Sequence, residues 1–235
     1  MTQLVQPIAG QAPMEDGERF ADVLSRMAER PSLRKTERTR LRLLAAVASR
    51  LEAGDAPGAL RVADIAAAAG LAHGTFYRYF TDRAAAVEAA VAAFARFQRE
   101  RLGAVQEGAP ASRARVRAAT LLYVRLFRAN TGLMRCLMDL GRETTASRER
   151  FHALNRDWNG KVAAAIAQRR RATESPEELL PTAYALGGMV DELLAQLYLR
   201  RDPALAALAS DEIATADLLT ELWCRGAYGV VPSES

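Results

Sequence analysis

An all-α fold is what this 235-residue chain predicts, and three observations predict it. Hydrophobic residues make up 50% of the sequence but aromatics only 6%, because alanine carries much of the apolar count. Alanine, leucine, arginine and glutamate dominate the composition, and all four favour helix. Apolar side chains recur at steps of three and four, while β-branched runs of period two are absent. The chain is long enough for one large domain or two modest ones with a packed core.

The elements follow in order. Residues 1–30 read as a flexible extension in which Phe20, Val23, Leu24 and Met27 mark a short amphipathic helix that Pro31 ends. In "SLRKTERTRLRLLAAVASRLEAG" the positions Leu41, Leu44, Ala45, Ala48 and Leu51 keep the helical period, and Gly54 stops the run. A short helix is expected from about Val62 to Ala69, closed by Gly70, and a second one immediately after it. Beyond Asp82 come a helix over about 82–102 and another over about 111–129. A short one in "NTGLMRCLMDLG" precedes a long one bearing Phe151, Trp158, Val162 and Ile166, and two C-terminal helices follow within 176–228. Residues 229–235 read as a tail.

Charge is unevenly placed. The net value of +4 divides into −3 over residues 1–29, +6 over 30–101 and +1 over the remainder. A basic region on a balanced chain is the electrostatic footprint of a nucleic-acid binder, although a solvated helix face produces it too. At its centre lies "VADIAAAAGLAHGTFYRYF": a short helix, a tight turn at glycine and a second short helix, the layout of a helix-turn-helix. Ala66 to Ala69 let the two helices cross closely, and Leu71, Phe76 and Phe80 are expected in the core. That leaves Thr75, Tyr77 and Tyr79, with His73 and Arg78, directed outward. Hydroxyls and cations there suit phosphate oxygens and major-groove base edges. A helix-turn with exposed tyrosines also occurs where no DNA is bound, but the preceding basic helix, with Arg34, Lys35, Arg38, Arg40 and Arg42, favours the DNA reading.

The run "VADIAAAAGLAHGTFYRYFTDRAAAVEAAV" resembles the DNA-binding domain of the TetR family of bacterial transcriptional regulators, over about residues 34–95. The loop before "DIA" is slightly long, and Arg83 stands where the family usually carries lysine. The resemblance implies a helix-turn-helix domain over 31–81 and a larger helical ligand-binding and dimerisation domain over 82–228. It gives Thr75 and Tyr77 the DNA-contacting positions of the recognition helix, Tyr79 a backbone contact and His73 the variable, base-reading position. Gly74 then allows close approach to the duplex, Arg61 and Arg83 clamp phosphates, and Arg78 lies beside them. The function implied is a ligand-responsive repressor that binds an inverted-repeat DNA operator as a homodimer and is released by a small, largely apolar effector.

In the middle helices, Phe127, Met134, Met138, Phe151 and Trp158 form a bulky set that by itself reads as core; the resemblance makes it the wall of a ligand pocket, together with Phe94, Phe97 and Tyr184. In "PEELLPTAYALGGMVDELLAQLYLRRD", Leu179, Ala183, Leu186, Val190, Leu193 and Leu197 alternate steps of four and three, a heptad seam. With Leu218 and Trp223 of the last helix it is expected to build a four-helix dimer interface.

Nothing points to an enzyme. His73 and His152 are the only histidines, and no phosphate loop, HExxH pair or nucleophile elbow occurs, so no catalytic residue, metal ligand or cofactor is expected. Cys136 and Cys224 lie far apart without metal-ligand spacing and suit a reducing compartment. No stretch reaches the ~20 apolar residues of a membrane span. The N-terminus lacks the basic-then-apolar order of a signal peptide, so a cytoplasmic protein without membrane contact is expected. The alternative is a helical carrier of lipophilic molecules that does not bind DNA.

Overall fold

The computed structural model describes residues 17–106, 112–139, 145–170 and 174–229, and among them every regular element is a helix. Helix α1 (Phe20–Ala28) precedes α2 (Lys35–Glu52), α3 (Val62–Ala68) and the short α4 (His73–Phe76). A long helix, α5 (Arg83–Gln106), leads into α6 (Arg113–Ala129), α7 (Thr131–Asp139) and α8 (Thr145–Arg170). These are followed by α9 (Leu180–Leu194), α10 (Ala206–Ala209) and α11 (Glu212–Tyr228). Residues 195–200 extend α9 with a wider, π-type turn.

Helix α1 is tied down firmly. It lies along α2 and buries Phe20, Val23 and Leu24, and the Phe20 ring packs 5.5 Å from Phe94 and 5.1 Å from Phe97 of α5. A single buried residue, Asn130, joins three segments. Its Oδ1 accepts from Phe20 N–H at 2.7 Å, and its Nδ2 donates to the Glu18 carbonyl at 3.2 Å and to that of Leu126 at 2.9 Å. Full satisfaction of its amide is what lets an asparagine remain in the core.

A second tie connects α2 to α7. Both oxygens of Glu52, the last residue of α2, accept from the first free N–H groups of α7: Gly132 at 3.1 Å and Leu133 at 2.9 Å. The carboxylate thereby caps the positive end of that helix. Gly132 is obligatory here, since a Cβ would sit 2.2 Å from the Leu51 carbonyl oxygen.

Helices α6 and α11 pack together and exchange charges along their length. Arg113 pairs with Glu221, Arg117 with Asp217, and Arg125 and Arg128 with Glu212. Pro181 lies in the first turn of α9, where its missing N–H costs no helical bond.

One expectation is corrected. The seam of Leu179, Ala183, Leu186, Val190 and Leu197 faces into its own protomer, where all five residues are buried. Leu179, Ala183 and Leu186 pack with Val162, Ala163 and Ile166 of α8, and Leu193 lies partly buried beside the core. Trp223 is also half-buried against that core. A heptad stripe records only that a helix has an apolar face; here α8 and α11 of the same chain cover it. Leu218 alone of the expected interface residues is clearly exposed, with Ile213 and Leu222 of the same helix.

Candidate functional site

The helix-turn-helix is assembled as its residue pattern requires. Gly70 turns the chain with φ +68°, and its N–H and that of Leu71 close the end of α3 onto the carbonyls of Ala67 and Ala66. Phe76 is fully buried and Phe80 nearly so, 5.6 Å apart, with the Arg40 guanidinium 5.6 Å above the Phe80 ring. Burial, and next the nearby Arg96, holds Arg40 below the usual arginine range. These contacts fix α4 on the body of the domain and leave His73, Gly74, Tyr77 and Arg78 exposed, with Thr75 partly so.

Tyr77 is 52% exposed, yet its ring meets His73 edge-on at 5.4 Å and Phe76 at 5.5 Å, so the phenol is held in position before any partner arrives. Apart from its own helix turn, nothing lies within 4 Å of the place a Cβ on Gly74 would occupy, which keeps that patch open. Arg61 precedes α3 and bonds Asp64 at 3.1 Å while remaining mostly exposed. Tyr79 is partly buried against the core. Arg83 is engaged differently from the expectation of a phosphate clamp: its Nη1 donates to the Leu60 carbonyl at 3.2 Å, holding the start of α5 to the loop before α3.

Between the longer helices lies a cavity of about 1080 Å³. Its apolar wall comes from Leu102 of α5, Met134, Leu137 and Met138 of α7, Trp158 and Ile166 of α8, and Trp223 of α11. Tyr184, Gly187 and Gly188 open the α9 side. Polar groups also reach it: Gln98 and Arg99 of α5, Thr120 and Tyr123 of α6, Asn155 and Asn159 of α8, and Asp191 of α9. Gln98 donates to the Met134 sulfur at 3.1 Å. Burial lowers the Arg99 guanidinium, an effect that Asp157 opposes.

Asp191 accepts the Tyr123 hydroxyl at 2.6 Å. Burial raises its carboxyl to about 6 against the pull of that hydrogen bond. The Tyr123 phenol is pushed well above its usual value by burial and by the neighbouring carboxylate.

Of the residues expected around a ligand, Met134, Met138, Trp158 and Tyr184 line this cavity. Phe94, Phe97 and Phe127 do not: all three are fully buried in the core, the first two turned toward Phe20 and the third toward Tyr123 and Tyr198. Their places on the wall are taken by the adjoining Ala95, Gln98 and Thr120 faces of the same helices. Phe151 falls within α8, but its side chain lies outside the described residues. Asp191 was legible as a gap: Tyr184, Gly187, Leu194 and Tyr198 follow one stripe, and position 191 is the polar interruption in it.

Residues 44–90 match the model of bacterial regulatory proteins of the tetR family. No curated protein matches the chain. Among solved structures, a protein from Rhodococcus sp. assigned to that family superposes with a TM-score of 0.58 at 21% identity, covering 78% of this chain and 95% of its own. A TetR-family regulator from Bordetella parapertussis 12822 gives 0.58 at 18% identity, covering 83% and 98%. The transcriptional regulator FadR from Bacillus subtilis, solved in complex with stearoyl-CoA, gives 0.59 at 15% identity, covering 79% and 98%. Residues 44–90 thus match the model of the tetR family of regulatory proteins, and the chain has the fold of solved TetR-family regulators.

Proposed function

We propose that this protein is a ligand-responsive transcriptional repressor that binds an inverted-repeat operator as a homodimer. The observation that carries the proposal is the pairing of a rigid helix-turn-helix, whose His73, Tyr77 and Arg78 are exposed, with a large cavity between the helices of the same chain. Solvent-exposed hydroxyl, imidazole and guanidinium groups on one short element suit phosphate and base edges. A cavity of about 1080 Å³ accommodates an effector of substantial size, as the stearoyl-CoA complex of the Bacillus subtilis regulator supports for this fold.

The exposed Leu218 and Leu222 of α11, one turn apart, together with the outward Ala185 of α9, form the face we assign to the dimer. A twofold arrangement presents two equivalent recognition elements to successive major grooves, about 34 Å apart. Ligand contact with Met134, Leu137 or Met138 acts on α7, and Glu52 joins α7 to the end of α2. A shift of α7 thus reaches the DNA-binding helices directly, in addition to a route along α5, which runs from the end of the helix-turn-helix to the cavity wall at Gln98 and Leu102.

Selection of genomic fragments by the purified protein tests this function. Inverted repeats bound by a dimer support it. Absence of binding even to random duplex at low salt, together with uptake of apolar ligands, would make the chain a lipophile carrier instead.

A further inference from the structure

The carboxyl of Asp191 is partly buried and, among the described residues, has no counter-charge. Among the described residues its hydrogen-bond partner is the neutral hydroxyl of Tyr123, and no arginine or lysine pairs with it. It nevertheless borders the cavity, in the interruption of an otherwise apolar helix face. An ionised carboxylate largely withdrawn from water between helices is costly to leave unpaired, so a site of this kind gains most from a cation brought by the ligand.

The other charged or titratable groups lining the cavity are Arg99 of α5, Arg115 and Tyr123 of α6, Arg169 of α8, Tyr184 of α9 and Tyr228 of α11. Arg99 faces Asp157 of α8, which offsets its charge. Arg115 precedes Tyr123 by eight residues on α6, about 12 Å along the axis. Arg169 stands 5.4 Å from the Tyr228 ring, at the C-terminal ends of α8 and α11. The arginine pair thus lies toward the end where α6 begins, away from the carboxylate.

Resting on the assignment of this cavity as the effector site, we propose that it selects ligands with an apolar body and a cationic amine head, the ammonium seated on Asp191 beside Tyr123. The aromatic rings of Trp158 and Tyr184 and the thioethers of Met134 and Met138 enclose the body. Among amphiphiles of equal length the charge of the head therefore decides affinity.

The two tryptophans of the chain, Trp158 and Trp223, both line the cavity, so intrinsic fluorescence reports its occupancy. The probes are n-dodecylamine, dodecan-1-ol and dodecanoate, each titrated below its micelle concentration into the full-length protein at neutral pH. The amine is expected to bind about tenfold or more tighter than the alcohol, a difference of ~1.4 kcal/mol. Asp191→Asn is expected to abolish that preference while leaving alcohol affinity within about twofold. Dodecanoate binding more tightly than the amine, or an amine preference that survives Asp191→Asn, overturns the amine assignment but leaves the cavity as an effector site. Failure of all three probes to perturb the tryptophans overturns both. Should Asp191→Asn not fold, the ranking of the three probes on the wild-type protein still decides.

Discussion

Tyr77 illustrates how a single exposed residue can be separated from the fold. Its contacts with His73 and Phe76 orient the ring, but half of its surface is open, so Tyr77→Ala should alter thermal stability by no more than ~0.5 kcal/mol. The same substitution is expected to weaken binding to all duplexes about equally, as measured by anisotropy with specific and random DNA, because phosphate contacts carry little sequence information. Arg61→Ala should behave alike, whereas replacing His73 should change which bases are preferred in a selection. Asp191 makes a second residue-level prediction. Its folded value of about 6 lies above the ordinary 3.8, so the group favours the folded state most at low pH, and that contribution disappears as the pH rises through about 6. Asp191→Asn should therefore be as stable as wild type near pH 4 and more stable near pH 7.5, by up to ~3 kcal/mol. Parallel melting curves across that range check it; a constant difference would show that the carboxyl is not strained by burial.

At the scale of elements, the α2–α7 clasp is the feature most open to test. Glu52→Ala leaves two helix N–H groups without their acceptor and should cost about 1–3 kcal/mol in stability. Gly132→Ala is the harsher change, because its methyl carbon would overlap the Leu51 carbonyl and force α7 away from α2. The milder variant should retain both duplex binding and ligand binding yet reduce the effect of one on the other, which titrations with and without DNA would reveal. An unchanged coupling in Glu52→Ala would return the signal to α5 alone. Element boundaries were largely legible in the sequence. The Gly70 turn, the buried pair Phe76 and Phe80, and the first-turn Pro181 all lie where local chemistry puts them. Partners were not. Phe94 and Phe97 share a face suited to a ligand, but Phe20, more than seventy positions earlier, occupies it. Likewise the α9 stripe has a helical period that is identical whether α8 or a second subunit covers it. Periodicity specifies a buried face, and only tertiary packing specifies what buries it.

The whole molecule is expected to act as a pair. Leu218 and Leu222 are 40% and 38% exposed in the protomer, so Leu218→Arg with Leu222→Arg should leave each subunit folded. If α11 forms the interface, the doubled charge would have to be desolvated there, and sedimentation should show monomers with lost operator affinity. A variant that still sediments as a dimer would place the interface on another face. Effector and operator should also oppose each other reciprocally: a coupling of ~1–3 kcal/mol changes either affinity by about one to two orders of magnitude. Titrating dodecylamine with and without bound operator measures it, and equal affinities would sever the cavity from the switch.

The attachments of α2 bear on how such a switch can move. A body joined at one point can swivel; joined at several points that do not share a line, it has no free axis left. Helix α2 is held through α1 to Asn130, through α5 along its flank and through Glu52 to α7. The DNA-binding unit therefore has few soft degrees of freedom, and graded tilting would strain every attachment together. Release of one attachment removes a constraint in a single step. Of the three, the Glu52 pair rests on two partly buried hydrogen bonds without the aromatic packing of Phe20 that backs the Asn130 tie, and so is the one that yields first. The response of a single subunit to its effector is then expected to be a snap between two positions, visible as two resolved populations rather than a drifting average in distance measurements between α4 and α8.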